Sequence, residues 1–294
     1  MGKIAVSPHI AEDEVFVRMN LAERLQHWVV IATFVLLILT GLPLLFYNLK
    51  FFKWLFRGEQ SFFIRGIIHR AAAVGLILNS VVHVVYTAAT DRGRHNLKHM
   101  LPRFRDVRDA VQAFGYNLGL TRALHRRGWG RSFFRKHPFF LFQEAPLYDR
   151  YNFIEKFEYW ALIWGTLVMI VSGFFMWKVE LSLRLFPLWV HDIFIIVHGY
   201  EAMLAFLAVI IWHMYNVHLN PEVFPMSKIW LTGKGTGHEL RVHHPLEYLR
   251  IHAEREKARA DQAAAAVQKA DKNRKTVRRT KPPQDPIRSR RPRS

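Results

Sequence analysis

The chain has 294 residues, no cysteine, and 42 Lys and Arg against 23 Asp and Glu, for a formal net charge of +19. The lack of cysteine excludes disulfides, iron–sulfur clusters held by this chain and haem attached through thioether bonds, so any haem must be non-covalent and b-type. Four apolar runs of about the length that a bilayer core requires exclude an ordinary water-soluble protein. They cover residues 28–47, 71–89, 159–177 and 193–219.

Taken in chain order, the predicted elements form an all-α polytopic membrane protein. It is a four-transmembrane-helix bundle built from two tandem helical hairpins, with cytoplasmic amphipathic and tail helices. The predicted segments are an N-terminal cytoplasmic segment (1–24), a first hairpin (25–89), a basic loop with an amphipathic helix at 101–120 (90–150), a second hairpin (151–219), a cytoplasmic segment with a charged helix (220–272) and a disordered basic tail (273–294).

The distribution of positive charge predicts the orientation in the membrane. Lys and Arg concentrate in the loop between the second and third spans and after the fourth, whereas the connection between the third and fourth spans has only Lys178 and Arg184. The first connection fits less well, because it carries Lys50, Lys53 and Arg57 on the predicted outer side. The positive-inside rule therefore predicts a multi-pass protein of the prokaryotic cytoplasmic (inner) membrane with both termini cytoplasmic. The same distribution assigns the positive charge to the membrane, and no nucleic acid partner is expected.

Four histidines lie within or at the edge of the second and fourth spans. His69 and His83 are 14 residues apart, and His198 and His213 are 15 apart, so each pair is separated by about 21 to 22 Å along a helix and returns to roughly one face. Two such helices side by side offer two stacked bis-imidazole sites, which suit two haem b groups near opposite membrane faces. The alternative function is a non-haem membrane transporter or scaffold that uses these histidines for protons or metal.

An internal repeat at an offset of 132 residues aligns segment 18–28 with segment 150–160. Gly41 follows Thr40 and Gly173 follows Ser172 at matching positions of the two halves. Two similarly oriented hairpins place His69 and His198 at the outer depth, and His83 and His213 at the inner depth. Each glycine allows close approach of a macrocycle or of a neighbouring helix.

The inner partner of His213 stays open. The repeat pairs His213 with His83, but His27 also lies at the inner depth and reaches the same site. The histidine left over is then a contact of the ligand shell or of quinone, or it leaves room for a third haem.

Other polar groups also require a role in lipid. Glu201 and Asn216 are candidate proton or quinone contacts. Arg24 and Arg70 are candidate partners for haem propionates, because charge-assisted hydrogen bonds suit carboxylates.

Several motifs resemble the b-type dihaem cytochrome subunits of membrane formate dehydrogenases and nickel–iron hydrogenases. These are Arg24-Leu-Gln-His27-Trp28, Thr40-Gly41, His69-Arg70, and His198 with His213. The resemblance extends over about residues 14–250 and implies a quinone-reactive membrane anchor. Such a subunit carries electrons across the bilayer between a partner redox subunit and the quinone pool of a respiratory complex.

The resemblance also implies ligands and partners. The outer haem takes His69 and His198, and the inner haem takes His27 and His213, with quinone or menaquinone bound near His213 and Asn216. The partner is an iron–sulfur or multihaem cytochrome subunit. His83 is a histidine that better-known members generally lack, so the resemblance favours His27 at the inner site and the repeat favours His83.

Overall fold

A computed structural model of the chain describes residues 14–55, 57–119, 146–221 and 223–280. The sequence predictions for residues 1–13, for residues 120–145 of the basic loop and for residues 281–294 of the tail lie outside the described residues. In chain order the elements are β1 (Val15–Val17), α1 (Leu21–Leu45), α2 (Lys50–Leu55), α3 (Glu59–Ala89), α4 (Asp91–Met100), α5 (Phe104–Asn117), α6 (Phe153–Trp177), α7 (Val179–Leu185), α8 (Leu188–Leu207), two π-helical segments (Ala208–His213 and Tyr215–Leu219), α9 (Ile229–Thr232), β2 (Lys234–Thr236), α10 (Gly237–His243) and α11 (Pro245–Thr280).

Four helices are long and apolar enough to cross a membrane, which confirms the predicted fold class. They are α1, α3, α6 and the continuous span Leu188–Leu219 formed by α8 and the π-helical segments. Each begins several residues before the apolar run that predicted it, because hydropathy detects only the apolar part of a helix.

The extra first turns of α1 and α6 have a local cause that the internal repeat preserves. Asn20 accepts a 2.8 Å hydrogen bond from the backbone N–H of Glu23, whose carboxylate accepts the backbone N–H of Asn20 at 2.8 Å. Asn152 and Glu155 form the same reciprocal pair, also at 2.8 Å. These capping boxes satisfy N–H groups that a helix start leaves without partners.

The four spans are polar inside and apolar outside, the reverse of a soluble bundle. Thr33, Thr40 and Ser172 are buried between the helices, whereas Phe157 and Trp164 are each 67% exposed. An apolar exterior of this kind is stable only in lipid, where exposed polar groups cost free energy.

Each hairpin packs closely on itself, α1 against α3 and α6 against α8, and the hairpins meet where α1 contacts α8. We call the side of the bundle that holds the β-strands, α4, α5 and α11 the proximal side, and the opposite side, with α2 and α7, the distal side. His69 and His198 then form a distal layer, and His27, His83 and His213 lie in a proximal layer.

The chain returns to the proximal side through a two-stranded antiparallel sheet, in which Phe16 pairs with Gly235. Gly233 precedes this strand with φ +75°, and a Cβ there would lie 2.1 Å from the Met19 carbonyl oxygen. Only glycine suits this close approach. The Gly233 carbonyl accepts the backbone N–H groups of Arg18 and Met19 at 2.8 and 3.0 Å.

Helix α11 joins the two repeats at its first turn. Glu247, which is 3% exposed, accepts hydrogen bonds from Arg18 and from its repeat counterpart Arg150, the latter at 2.8 Å. One carboxylate therefore links equivalent positions of both halves. Beside it, His244 donates from Nδ1 to the Asp149 carbonyl at 2.8 Å and accepts from Arg18 at Nε2 at 3.1 Å. Burial is the main cause that lowers the pKa of His244 below 6.5.

The proximal helices differ from the sequence prediction in their bounds. The predicted amphipathic helix at 101–120 is α5, which begins only at Phe104, because the Leu101-Pro102-Arg103 segment separates it from an additional helix, α4. Helix α11 continues to Thr280, eight residues into the segment 273–294 that was predicted to be disordered. Its Ala-, Glu- and Lys-rich sequence favours helix even where no apolar face is present.

Candidate functional site

The distal layer brings together one histidine from each hairpin. The imidazole centroids of His69 on α3 and His198 on α8 are 6.4 Å apart, with an interplanar angle of 65°. Imidazole nitrogens bind first-row metals at about 2.0 Å, and two rings on opposite sides of one metal then have centroids about 6 Å apart. The separation of these rings therefore equals that of two axial ligands of a single metal.

A hydroxyl group fixes the tautomer of each distal histidine. Thr40 Oγ1 lies 2.8 Å from Nδ1 of His69 and already donates its proton to the Leu36 carbonyl at 2.5 Å. It therefore accepts from the imidazole, so the proton is on Nδ1 and the lone pair is on Nε2.

The second hairpin repeats this arrangement. Ser172 Oγ lies 3.0 Å from Nδ1 of His198 and donates to the Val168 carbonyl at 2.7 Å. Both rings thus keep a free Nε2 lone pair, the form that a metal requires.

The two conserved-register glycines make room for these rings. A Cβ at Gly41 would lie 3.1 Å from Cε1 of His69, and a Cβ at Gly173 would lie 3.0 Å from Cε1 of His198. Both distances are tighter than ordinary van der Waals contact. The sequence left open whether each glycine faces a macrocycle or a helix, and in the structure each accepts the imidazole of the neighbouring helix.

Two arginines lie near the distal layer. Arg65 is buried and donates to the Thr40 carbonyl at 2.7 Å, while its Nε meets no partner among the described residues. Arg70 lies over the Trp177 ring at 5.9 Å and against Gly66. Their charges suit carboxylates at this depth.

In the proximal layer, His83 uses both ring nitrogens in hydrogen bonds within the protein. Nδ1 lies 2.8 Å from Oε1 of Gln26, and Nε2 lies 3.0 Å from the hydroxyl of Tyr159. An imidazole in this position has no free lone pair unless Tyr159 moves away.

The second proximal histidine, His213, has a different environment. Its Nδ1 lies 2.9 Å from Oε2 of Glu158. His27 is close enough for the two imidazoles to interact electrostatically, and its buried Nδ1 has no hydrogen-bond partner in the described part of the chain.

The internal repeat explains why these neighbourhoods differ. Gln26 aligns with Glu158, and His27 aligns with Tyr159. The contact between Tyr159 and His83 in one half therefore corresponds to the facing of His27 and His213 in the other. One position holds a hydrogen-bonded tyrosine–histidine pair, and its counterpart holds two histidines.

The fourth span keeps this correspondence although it has one more residue between its histidines than the second. The π-helical segment Ala208–His213 takes up the extra residue. A π-bulge inserts one residue without breaking a helix, and such bulges are frequent at functional sites. It compensates the difference between the spacings of 15 and 14 residues.

The remaining candidates lie around the proximal layer. Arg24 donates to the Leu231 carbonyl at 2.6 Å. Asn216 donates to the Trp212 carbonyl at 3.0 Å and approaches Glu158 at 3.4 Å. Glu201 lies against α6, where its Oε1 is 2.7 Å from the position that a Cβ of Gly165 would occupy. The structure thus groups Asn216 with His213 and places Glu201 at the contact between α6 and α8.

Sequence reasoning missed the residues that orient the imidazoles. Gln26, Glu158 and Tyr159 were visible as differing columns of the internal repeat, and Thr40 and Ser172 as matching ones. Comparison of the two halves column by column would have identified them.

A four-span helical bundle that holds facing imidazoles with free lone pairs defines a membrane protein that binds haem between its helices. A family model described as prokaryotic cytochrome b561 matches residues 18–225, and the chain belongs to this family. The cytochrome b subunits of membrane hydrogenases and formate dehydrogenases are of this kind, which confirms the resemblance inferred from the motifs. The protein is therefore a multi-pass, haem b electron-transfer subunit of a redox enzyme complex. No curated protein matches the chain.

Proposed function

We propose that the chain binds two haem b groups, one in each layer, and carries electrons across the bilayer between a partner redox subunit and the quinone pool. The observation that carries this proposal is the 6.4 Å separation of the His69 and His198 rings, each with Nδ1 bound to a hydroxyl group. Bound haem supplies reversible one-electron transfer at iron.

The residues of the distal layer fit haem better than a bare metal ion. Structural zinc takes four protein ligands, and the described residues contain no cluster of three or more His, Cys, Asp or Glu that could hold a metal ion. A haem iron needs only axial ligands from the protein. His69 and His198 provide these ligands, Gly41 and Gly173 admit their rings, and Arg65 supplies a positive charge for propionate.

In the proximal layer the contacts favour His27 and His213 as ligands. His213 has its Nδ1 occupied by Glu158, which leaves Nε2 for iron, and His27 is its nearest counterpart across the α1–α8 contact. His83 is engaged at both nitrogens. Its proposed role is structural, since it ties α3 to α1 through Gln26 and to α6 through Tyr159.

Quinone is proposed to bind on the proximal side beside His213. Asn216 offers an amide for a quinone carbonyl, and Glu158 is the nearest carboxylate. Glu201 lies deeper, between the layers, and is a candidate proton carrier for quinone chemistry.

The proximal side is proposed to face the cytoplasm of a prokaryotic cell. Helix α5 exposes an apolar stripe of Phe104, Val107, Val111 and Phe114, as expected for a helix that lies in the membrane interface. The exposed charged surface of α11 is the proposed contact for an iron–sulfur or multihaem cytochrome subunit.

The deciding experiment compares His27→Ala with His83→Ala in the full-length chain, with His218→Ala as a control. Haem per chain is measured by pyridine haemochrome and by reduced-minus-oxidised spectra. We expect two haems in the wild type, in His83→Ala and in His218→Ala, and one in His27→Ala. Loss of haem in His83→Ala with retention in His27→Ala would overturn the proximal assignment, and fewer than two haems in the wild type would overturn the dihaem proposal.

A further inference from the structure

The two halves of the protein place different acceptors on equivalent histidines. Nδ1 of His83 lies 2.8 Å from the amide oxygen of Gln26, and Nδ1 of His213 lies 2.9 Å from a carboxylate oxygen of Glu158. The lengths of the side chains and of the contacts are the same. The difference is that one acceptor is neutral and the other is an acid.

The Glu158 carboxylate has few other partners. Its second oxygen meets only the amide of Asn216, at a long 3.4 Å, and in the described part of the chain no Lys or Arg forms an ion pair with it. The side chain is 22% exposed, so water screens the carboxylate weakly. Its principal partner is therefore the imidazole of His213.

We infer that Glu158 is a positioning residue that lowers the reduction potential of the haem held by His213. The inference rests on the proposed ligation by His213. A carboxylate that accepts the Nδ1 proton fixes the ring orientation and makes the imidazole a more basic ligand. A more basic ligand, with a negative charge behind it, favours ferric over ferrous iron.

The distal layer shows that this arrangement is particular to the proximal one. Its imidazoles donate to the neutral hydroxyls of Thr40 and Ser172, and the positive Arg65 lies nearby. Both features favour ferrous iron relative to the proximal environment. The chain thus assigns a lower potential to the proximal haem and a higher one to the distal haem.

The test is Glu158→Gln in the full-length, haem-loaded protein, followed by redox titration of the haem absorption bands. The substitution is isosteric, and the Gln26–His83 pair shows that the fold already accommodates a glutamine on this histidine. Parallel titrations in the His69→Ala background, which is expected to retain only the proximal haem, assign the potentials. Gln26→Glu is the matched control, because it adds a carboxylate at the same depth on a histidine that is not a proposed ligand.

We expect Glu158→Gln to keep two haems and to raise the proximal potential. At a fixed applied potential the ratio of reduced to oxidised haem rises about tenfold, which is about 59 mV for one electron. The distal potential stays at its wild-type value, and Gln26→Glu moves the proximal potential much less than Glu158→Gln does.

The outcomes separate this inference from the proposed function. Two retained haems with an unchanged proximal potential would overturn the role of Glu158 and leave the dihaem function intact. Equal and opposite shifts from Glu158→Gln and Gln26→Glu would show a non-specific effect of charge and would also overturn it. Loss of the proximal haem in Glu158→Gln would assign Glu158 to haem retention instead. A wild-type protein without two haems contradicts the proposed function itself.

Discussion

Substitution of Gly173 by alanine tests the distal site most directly. The added Cβ would lie 3.0 Å from Cε1 of His198, and ordinary contacts begin at 3.4 Å, so the ring must retreat by about 0.4 Å. Ser172 holds the other side of the ring through Nδ1 at 3.0 Å. Metal–ligand distances tolerate only about 0.2 Å, and disturbed support of a ligand costs about 10- to 100-fold in metal affinity.

The same substitution is not expected to damage the fold. Alanine is favoured over glycine inside a helix by about 1 kcal/mol, so the thermal stability of the haem-free chain stays equal or rises. The matched control is Gly199→Ala, next to His198 on α8. Its Cβ would lie 3.4 Å from Cδ1 of Leu45, an ordinary contact.

The assay is titration of the haem-free chain with haem, followed by absorption and by haem per chain. We expect Gly173→Ala to lose most of the distal haem at concentrations that saturate Gly199→Ala. Equal distal affinity in the two variants would refute the argument that glycine is required to admit the imidazole.

Two further predictions concern the proximal contacts of α11. Glu247→Gln is expected to lower the stability of the detergent-solubilised chain by about 3 to 5 kcal/mol, because it leaves the buried guanidinium of Arg18 and its repeat counterpart without an acidic partner. Thermal melts check this against Glu254→Gln, an exposed glutamate of the same helix, and equal melting temperatures would contradict it. His244 has a pKa below 6.5 in the folded chain because it is buried, so the unfolded chain binds more protons and stability falls as the pH drops below about 6.5, by up to about 1.4 kcal/mol per pH unit. Melts from pH 7 to pH 5 test this, and an unchanged pH slope in His244→Gln would contradict it, because a charged imidazole loses its acceptor contact with Arg18.

Much of the architecture was predictable because lipid imposes simple rules on sequence. Uninterrupted apolar runs of sufficient length predicted four spans, and the structure confirms them. The helix starts were less predictable, since the first turns at Asn20 and Asn152 are polar and depend on side-chain caps. The break between α4 and α5 follows Pro102, a residue that signals a helix boundary but does not show that a second helix precedes it.

The candidate site divides in the same manner. Spacing and the repeat predicted that His69 and His198 share a depth, and the structure brings their rings together. The choice between His27 and His83 could not be read from spacing, because both lie at the proximal depth. It depends on which nitrogens are already bound, and therefore on Gln26 and Tyr159 reaching across from other helices.

By itself, the sequence determined the number of spans, their pairing into two related hairpins and the depth of each histidine. These properties follow from local composition and from the constant rise of a helix. Only the tertiary structure decided which imidazoles face one another, which ring nitrogens keep a free lone pair, and that an acid stands behind His213 where an amide stands behind His83. Those properties depend on the rotation of each helix about its axis and on contacts between side chains far apart in the chain, which no local pattern encodes.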